Sequence, residues 1–202
     1  MKAYFTKATC ITAGVGLLVG ALLILGIRFA TYHPEKIHYH ANFGVYINGQ
    51  REGFKSPLYY QEEATCDAEH IMTPKERVHM HDNVYDAIHI HDHAVTWGNF
   101  FQNIGWDIGP NFVKTSDKLL PAADSNSVTF ILNGKTVYDV TNRVIGDKDR
   151  LLVSYGNTTQ DDLQKQYNSI STSAAKYDTD KDPASCGGSA GPTAKDRFKH
   201  LF

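Results

Sequence analysis

The chain has 202 residues, with 20 Lys and Arg against 22 Asp and Glu, and a formal net charge of −2 when its ten histidines are neutral. There is room for one sizeable domain with appendages, and no basic field to attract nucleic acid. Histidine is the outlier, and nine of the ten precede residue 94, so the excess is local.

Residues 8–27, ATCITAGVGLLVGALLILGI, form an uncharged run of 20 between Lys7 and Arg28. At about 1.5 Å per residue, a helix of that length covers about 30 Å, enough to cross a bilayer core. A secretory h-region is shorter, roughly 7–15 residues, and no convincing A-x-A cleavage site follows. The run reads as an uncleaved transmembrane signal anchor, with a cleaved signal as the alternative. Lys2 and Lys7 put the N-terminus in the cytoplasm by the positive-inside rule, against a weaker pull from Arg28 and Lys36. Gly16 and Gly20 have the G-x-x-x-G spacing that pairs helices, although glycine is common in membrane spans anyway. Everything after about residue 30 is then extracytoplasmic. One disulfide between Cys66 and Cys186 is expected there, with two unpaired cysteines as the alternative. Cys10 lies in or near the membrane, and no C-x-x-C supports thiol–disulfide exchange.

The next stretch, IHYHANFGVYIN, alternates cleanly. Ile37, Tyr39, Ala41, Phe43, Val45 and Ile47 share one strand face; His38, His40, Asn42, Gly44 and Tyr46 share the other. Asn48-Gly49 predicts a type I′ hairpin returning through residues 50–54. Residues 55–77 are a mixed connection of weak periodicity. From Val78 to Trp106 the chain runs VHMHDNVYDAIHIHDHAVTWGNFFQNIGW. His79 and His81 flank Met80, and His89, His91 and His93 alternate with Ile90 and Asp92, so each set shares a strand face. His93 reads as a frayed strand end. The period then changes: Thr96 caps a helix whose apolar residues Trp97, Phe100, Phe101 and Ile104 fall at i, i+3, i+4 and i+7, and Gly105 ends it.

Residues 107–126 read as loop. Val128, Phe130 and Leu132 then alternate up to Asn133-Gly134, a second hairpin signal, and a turn at 147–149 precedes a short strand from Leu151 to Tyr155 ended by Gly156. Thr159 caps a predicted helix over 159–177 with a single apolar stripe of Leu163, Tyr167, Ile170, Ala174 and Tyr177. Beyond it the composition is that of a flexible tail. Asp178, Asp180 and Asp182 resemble the start of an EF-hand loop, but Pro183 stands where Gly is needed and Ser189 where Glu is needed, so calcium is rejected.

Three H-x-H pairs, His38/His40, His79/His81 and His89/His91, are each interleaved with an apolar residue. The histidines therefore occupy the non-core, solvent side of their strands. If those strands are neighbours, the imidazoles converge, and three or four within reach make a site for Zn(II) or Cu(II). Met80 faces away, which disfavours Cu(I). Asp82, Asp86 and Asp92 are placed to complete the ligand set or to orient rings from behind. The competing readings are a surface pH sensor and an uncoordinated polar sheet face. His33, His70 and His200 fall outside the pattern.

The run HYHANFGVYINGQ, followed by HMHD, AIHIH and TWGNFFQNIGW, resembles an uncharacterised family of bacterial and archaeal secreted or membrane-anchored proteins. Its members carry H-x-H-A…N-G, then H-T-H-D, G-I-I-H-I-E and T-L-G-x-F-F-x-x-W-G. The likeness covers roughly residues 37–156 and implies His38, His40, His79, His81 and His89 as shared positions, with Asp82 beside them. His91 stands where the family often has a carboxylate, and Asn103-Ile104 where it has a more hydrophobic pair. The resemblance implies a site more than a reaction. The element order is similar to a ubiquitin-like β-grasp sheet with one helix across it, an analogy that carries no function.

The expectation is an α+β protein: a membrane anchor over 1–30, a histidine-rich β-grasp-like mixed sheet with one packed helix over 31–156, an amphipathic helix over 157–177 and a tail over 178–202. Its expected task is to hold a divalent metal through His38, His40, His79, His81, His89, His91 and Asp82, for delivery, storage or sensing, with no protein partner or nucleic acid named. One alternative is a metal-dependent enzyme. His79, His81 and Asp86 fit the opening of a cupin motif without its glycine framework, and AIHIHD echoes a copper–zinc superoxide dismutase strand without its other motifs. No Ser/His/Asp or Cys/His nucleophile arrangement is present. The other alternative is an envelope interaction protein that binds no metal.

Overall fold

The computed structural model describes residues 6–33, 37–61, 72–123, 125–178 and 193–201. Cys66, Cys186 and His70 lie outside the described residues, and with them the expected disulfide. The chain divides into two compact units.

In one unit, α1 (Lys7–Thr31) begins at Thr6, whose side chain accepts from the Thr9 amide. It is long and apolar enough to cross a membrane, a property a signal sequence shares. A short helix near the C-terminus, Ala194–Lys199, belongs to the same unit. Its Arg197 donates to the carbonyls of Phe29 and Ala30 at 2.6 and 2.8 Å, which satisfies two acceptors that the end of α1 leaves open.

The other unit is α+β. Among the described residues, seven strands form a mixed sheet. In chain order they are β1 (Tyr39–Ile47), β2 (Gln50–Arg51), β3 (Val78–His79), β4 (Ala87–Ile90), β8 (Ser127–Leu132), β9 (Lys135–Val137) and β10 (Arg150–Gly156). The spatial order is β3-β4-β1-β10-β8-β9, with β2 on β1. The first and last long strands, β1 and β10, are parallel central neighbours, and the other pairings are antiparallel. Both Asn-Gly turns form as read: Asn48 and Gly49 have φ of 50° and 80°, and Asn133 and Gly134 have φ of 51° and 77°.

One sheet face carries Ala41, Phe43, Val45, Val78, Met80, Ile88, Ile90, Leu151 and Val153, all fully buried. It is covered by α3 (Trp97–Asn103), which in the chain follows the single turn α2 (Pro74–Arg77) and starts at the cap predicted at Thr96. The Thr96 side chain accepts from the Asn99 amide while Asn99 accepts from the Thr96 amide. Trp97, Phe100 and Phe101 point inward, and Phe100 meets Phe43 edge-on at 4.9 Å. Such pairs add to the area term that makes aromatic cores stable. Gly98 lets α3 approach closely, because a Cβ there would stand 2.6 Å from the Thr141 carbonyl oxygen.

Residues 107–126 correct the loop expectation. Among the described residues, β5 (Asp107–Gly109), β6 (Phe112–Lys114) and β7 (Leu119–Pro121) form a small antiparallel sheet. Three-residue strands are too short to show a period, so only Ile108 and Val113, both buried, betray the pairing.

The second face of the main sheet also differs from expectation, being covered where solvent was expected. Helix α4 (Gln160–Asn168) starts at the predicted Thr159 cap. It packs Leu163 and Tyr167, with Ile170, against Tyr46, Ile131 and Leu152. Gly44 makes room, since a Cβ would lie 3.0 Å from Ile170. The single helix expected over 159–177 is broken in two. The Arg150 guanidinium donates to the carbonyls of Tyr167 and Ile170 at 3.1 and 2.8 Å, and the Ser169 hydroxyl donates back to Gln166. These bonds terminate α4 from outside. A shorter helix, α5 (Ala174–Tyr177), follows and packs on β1.

Candidate metal centre

Strand register assembles the site. In the β1–β4 ladder His40 stands opposite His89, and in the β3–β4 ladder His79 stands opposite His89. Neighbouring strands are about 4.8 Å apart, so paired residues on one face are within side-chain reach. His38 and His91 flank that row, and His81 follows from the loop after β3. The three H-x-H pairs, read as separate features, thus lie on adjacent strands. His38 stacks on His91 at 4.7 Å between ring centres, His91 on His79 at 5.1 Å, and His81 approaches His89 at 3.6 Å.

One nitrogen from each of His38, His40 and His89 lies within 4.8 Å of the others, so these three could hold one metal ion. Nε2 of His40 is 2.9 Å from Nδ1 of His89, and Nε2 of His81 is 3.0 Å from the same atom. Nitrogens bound tetrahedrally to one zinc at about 2.0–2.1 Å are separated by about 3.3 Å. The observed spacings are within a few tenths of an ångström of that.

What stands behind the rings decides which nitrogen is available. Nδ1 of His40 lies 2.7 Å from Oδ1 of Asp178, and Nδ1 of His81 lies 2.8 Å from Oδ2 of Asp82. Nδ1 of His79 lies 3.1 Å from the Lys75 carbonyl oxygen. Carboxylate and carbonyl oxygens only accept, so in the neutral rings the proton sits on Nδ1 and the Nε2 lone pair points forward. At most one proton is then shared among Nε2 of His40, Nε2 of His81 and Nδ1 of His89. This is the carboxylate–histidine arrangement that orients rings toward a metal.

His40, His89, His81 and His79 are buried, with exposures of 0%, 3%, 5% and 6%. The expectation of a solvent-facing patch is therefore corrected: α5 packs on β1, with Tyr177 over His40 and His89. Burial, reinforced by the neighbouring rings of His81, His40, His79 and His38, pushes the His89 pKa far below the ordinary imidazole value. That ring stays neutral, the form that binds metal. Burial alone would raise the Asp178 carboxyl. Hydrogen bonds from Lys148 and His40 outweigh it and hold Asp178 below its ordinary range.

Asp82 lies behind His81, and its left-handed backbone, φ 54°, lets the side chain turn back on the preceding ring. Asp92 accepts from Arg77 Nε at 2.6 Å, and Asp86 faces Arg51 at 3.6 Å, so both are turned toward arginines. His93 is exposed, and Met80 is buried in the opposite face. The sequence reading missed Asp178, Lys148 and Tyr177. In the sequence Asp178 stands out only as part of an acidic run, and no spacing reveals a contact across 138 positions. No family model, curated protein or solved structure matches the chain.

Proposed function

We propose that this protein is a membrane-tethered, extracytoplasmic domain that holds one divalent transition metal, Zn(II) or Cu(II), for storage or sensing. His38, His40 and His89 supply the first three ring nitrogens, His40 through Nε2. The fourth position belongs to His81 or His79, His91 stacks beside them, and Asp82 orients His81. The observation that carries this reading is that one ring nitrogen from each of His38, His40 and His89 lies within 4.8 Å of the others, with His40 backed by the Asp178 carboxylate. An all-nitrogen donor set suits both ions, and no thioether or thiolate joins it among the described residues. Closed metal sites hold their ion, while catalytic ones keep an open coordination position. The burial of His40, His81 and His89 therefore favours holding over turnover. The tether rests on α1 and on the basic residues preceding its apolar run. The parallel pairing of β1 with β10 under a crossing helix supports a β-grasp-like sheet, and the order of the H-x-H motifs supports kinship with the tethered histidine-rich family.

The test is metal analysis of the full chain purified in detergent. One equivalent of Zn or Cu is expected, lost in the His79→Ala/His81→Ala double variant and in His89→Ala. Metal at background level in the unsubstituted protein would overturn the assignment.

A further inference from the structure

We infer that Asp178 is a positioning residue for this centre and that the segment 173–178 is its closing element, so that metal loading and docking of the segment are coupled. The inference rests on the metal-holding reading above. His40 is fully buried and His89 nearly so, so an ion reaches them only when something moves. The segment lies over both: the Tyr177 ring centre is 5.7 Å from that of His40 and 6.1 Å from that of His89.

Two polar anchors hold it. At one end the buried Asn42 side chain accepts from the Ala174 amide at 2.9 Å and donates to the Ser173 hydroxyl at 3.0 Å. Asn42 is two residues from His40 on the same strand face, so the anchor and the site share one rigid strand. At the other end, one oxygen of Asp178 meets Nδ1 of His40 at 2.7 Å, and the other accepts from Lys148 Nζ at 2.8 Å. Lys148 is itself tied to the strand, its amide donating to the His40 carbonyl at 2.8 Å. Between the anchors, α5 has four residues and buries only Ala174. A helix that short has no stability of its own, and elements with few buried apolar contacts open at low cost. Its docking therefore depends on the two anchors, one of which is the hydrogen bond that keeps the proton on Nδ1 of His40 and frees Nε2.

Coupling of this kind is reciprocal. A docked segment raises metal affinity by fixing the His40 tautomer, and a bound ion, by demanding that tautomer, strengthens the bond that docks the segment. The experiment uses the full chain in detergent, with Zn(II) as the probe in competition against a chromophoric chelator. Amide hydrogen exchange is measured over residues 173–178. Removing a partner behind a metal-bound histidine weakens affinity about 10–100-fold, so Asp178→Ala is expected to fall in that range. Asp178→Asn keeps an acceptor for the Nδ1 proton and is expected to fall in between. Exchange at 173–178 is expected to slow about tenfold or more when Zn(II) is added to the unsubstituted protein, and not in Asp178→Ala. Wild-type affinity in Asp178→Ala, or exchange at 173–178 indifferent to Zn(II), would overturn the coupling while leaving the metal assignment intact. If the unsubstituted protein binds no Zn(II) or Cu(II), both fall. If Asp178→Ala does not fold, the exchange measurement on the unsubstituted protein decides alone.

Discussion

The main sheet presents two faces to two different kinds of cover. Under α3, Phe43, Phe54, Phe100, Phe101 and Trp97 interlock as a dry aromatic core, with exposures of at most 1%. On the other face α4 seals a smaller apolar cluster of Tyr46, Ile131 and Leu152, and beside it the strands bury His40, Asn42, His79, His81 and His89 just as completely. The alternation of β1 puts Phe43 in one layer and His40 and Asn42 in the other. Burial therefore says little about purpose here. The first face stabilises by removing apolar area from water, and the second holds polar groups whose partners must be supplied one by one.

The largest expected effects fall on the aromatic face. Phe43→Ala should cost the metal-free protein about 3–5 kcal/mol, the range for deleting a buried aromatic ring. His89→Ala should cost less than half as much, because a net hydrogen bond returns only about 1 kcal/mol. Urea titration at neutral pH measures both, and equal losses would erase the distinction between the faces. Next comes the ligand. Zn(II) at about 100 times its dissociation constant should stabilise the domain by about 2.7 kcal/mol, reversed by a chelator. Phe43→Ala, if it folds, should keep that increment, and His89→Ala should lose it. Retention in His89→Ala would move the ion elsewhere.

Acid should also separate the faces, since the phenylalanines and Trp97 of the first carry no titratable group. His89 is held neutral in the folded state, with its pKa far below the imidazole value of about 6.5 that it regains on unfolding. The unfolded chain then binds more protons below that pH. Stability of the metal-free protein is thus complete above pH 6.5 and falls as pH drops below it, by about 1.4 kcal/mol per unit for one proton. The depressed Asp178 carboxyl acts in a lower window, its stabilisation being lost only as pH falls below about 4. Urea titrations from pH 7 to 5 measure the slope, and His89→Gln should flatten it. An unchanged slope in that variant would assign the proton uptake to other groups.

What could be read beforehand was local. The alternation of β1, the two Asn-Gly hairpins and the caps at Thr96 and Thr159 depend on residues a few positions apart, and each formed where expected. The H-x-H pairs were legible as strand faces for the same reason. Their adjacency was not, because the order β3-β4-β1 follows from pairings 49 positions apart, as between His40 and His89. Nor was their burial. The apolar stripe of 159–177 announced docking, but where it would dock depended on Gly44 and on Arg150 reaching across to end α4. Asp178 was the least legible of all, since its partner is set by the path of the whole chain.

The two caps give the finest version of the comparison. Thr96 starts the helix that seals the aromatic face, and Thr159 starts the helix that leads to the cover over the histidines. Each side chain accepts from the amide three residues on, at 3.2 Å. Replacing such a cap by Ala costs typically about 1 kcal/mol when the helix is part of the cooperative core. Thr96→Ala should show that loss in full, because α3 cannot fray without exposing Trp97. Thr159→Ala should show less in global unfolding, since Thr159 and its first-turn neighbours Gln160 and Asp161 are exposed. Its effect should appear instead as faster local amide exchange in α4. Equal global losses in the two variants would mean that α4 unfolds with the core, leaving residues 173–178 as the part of that cover free to open.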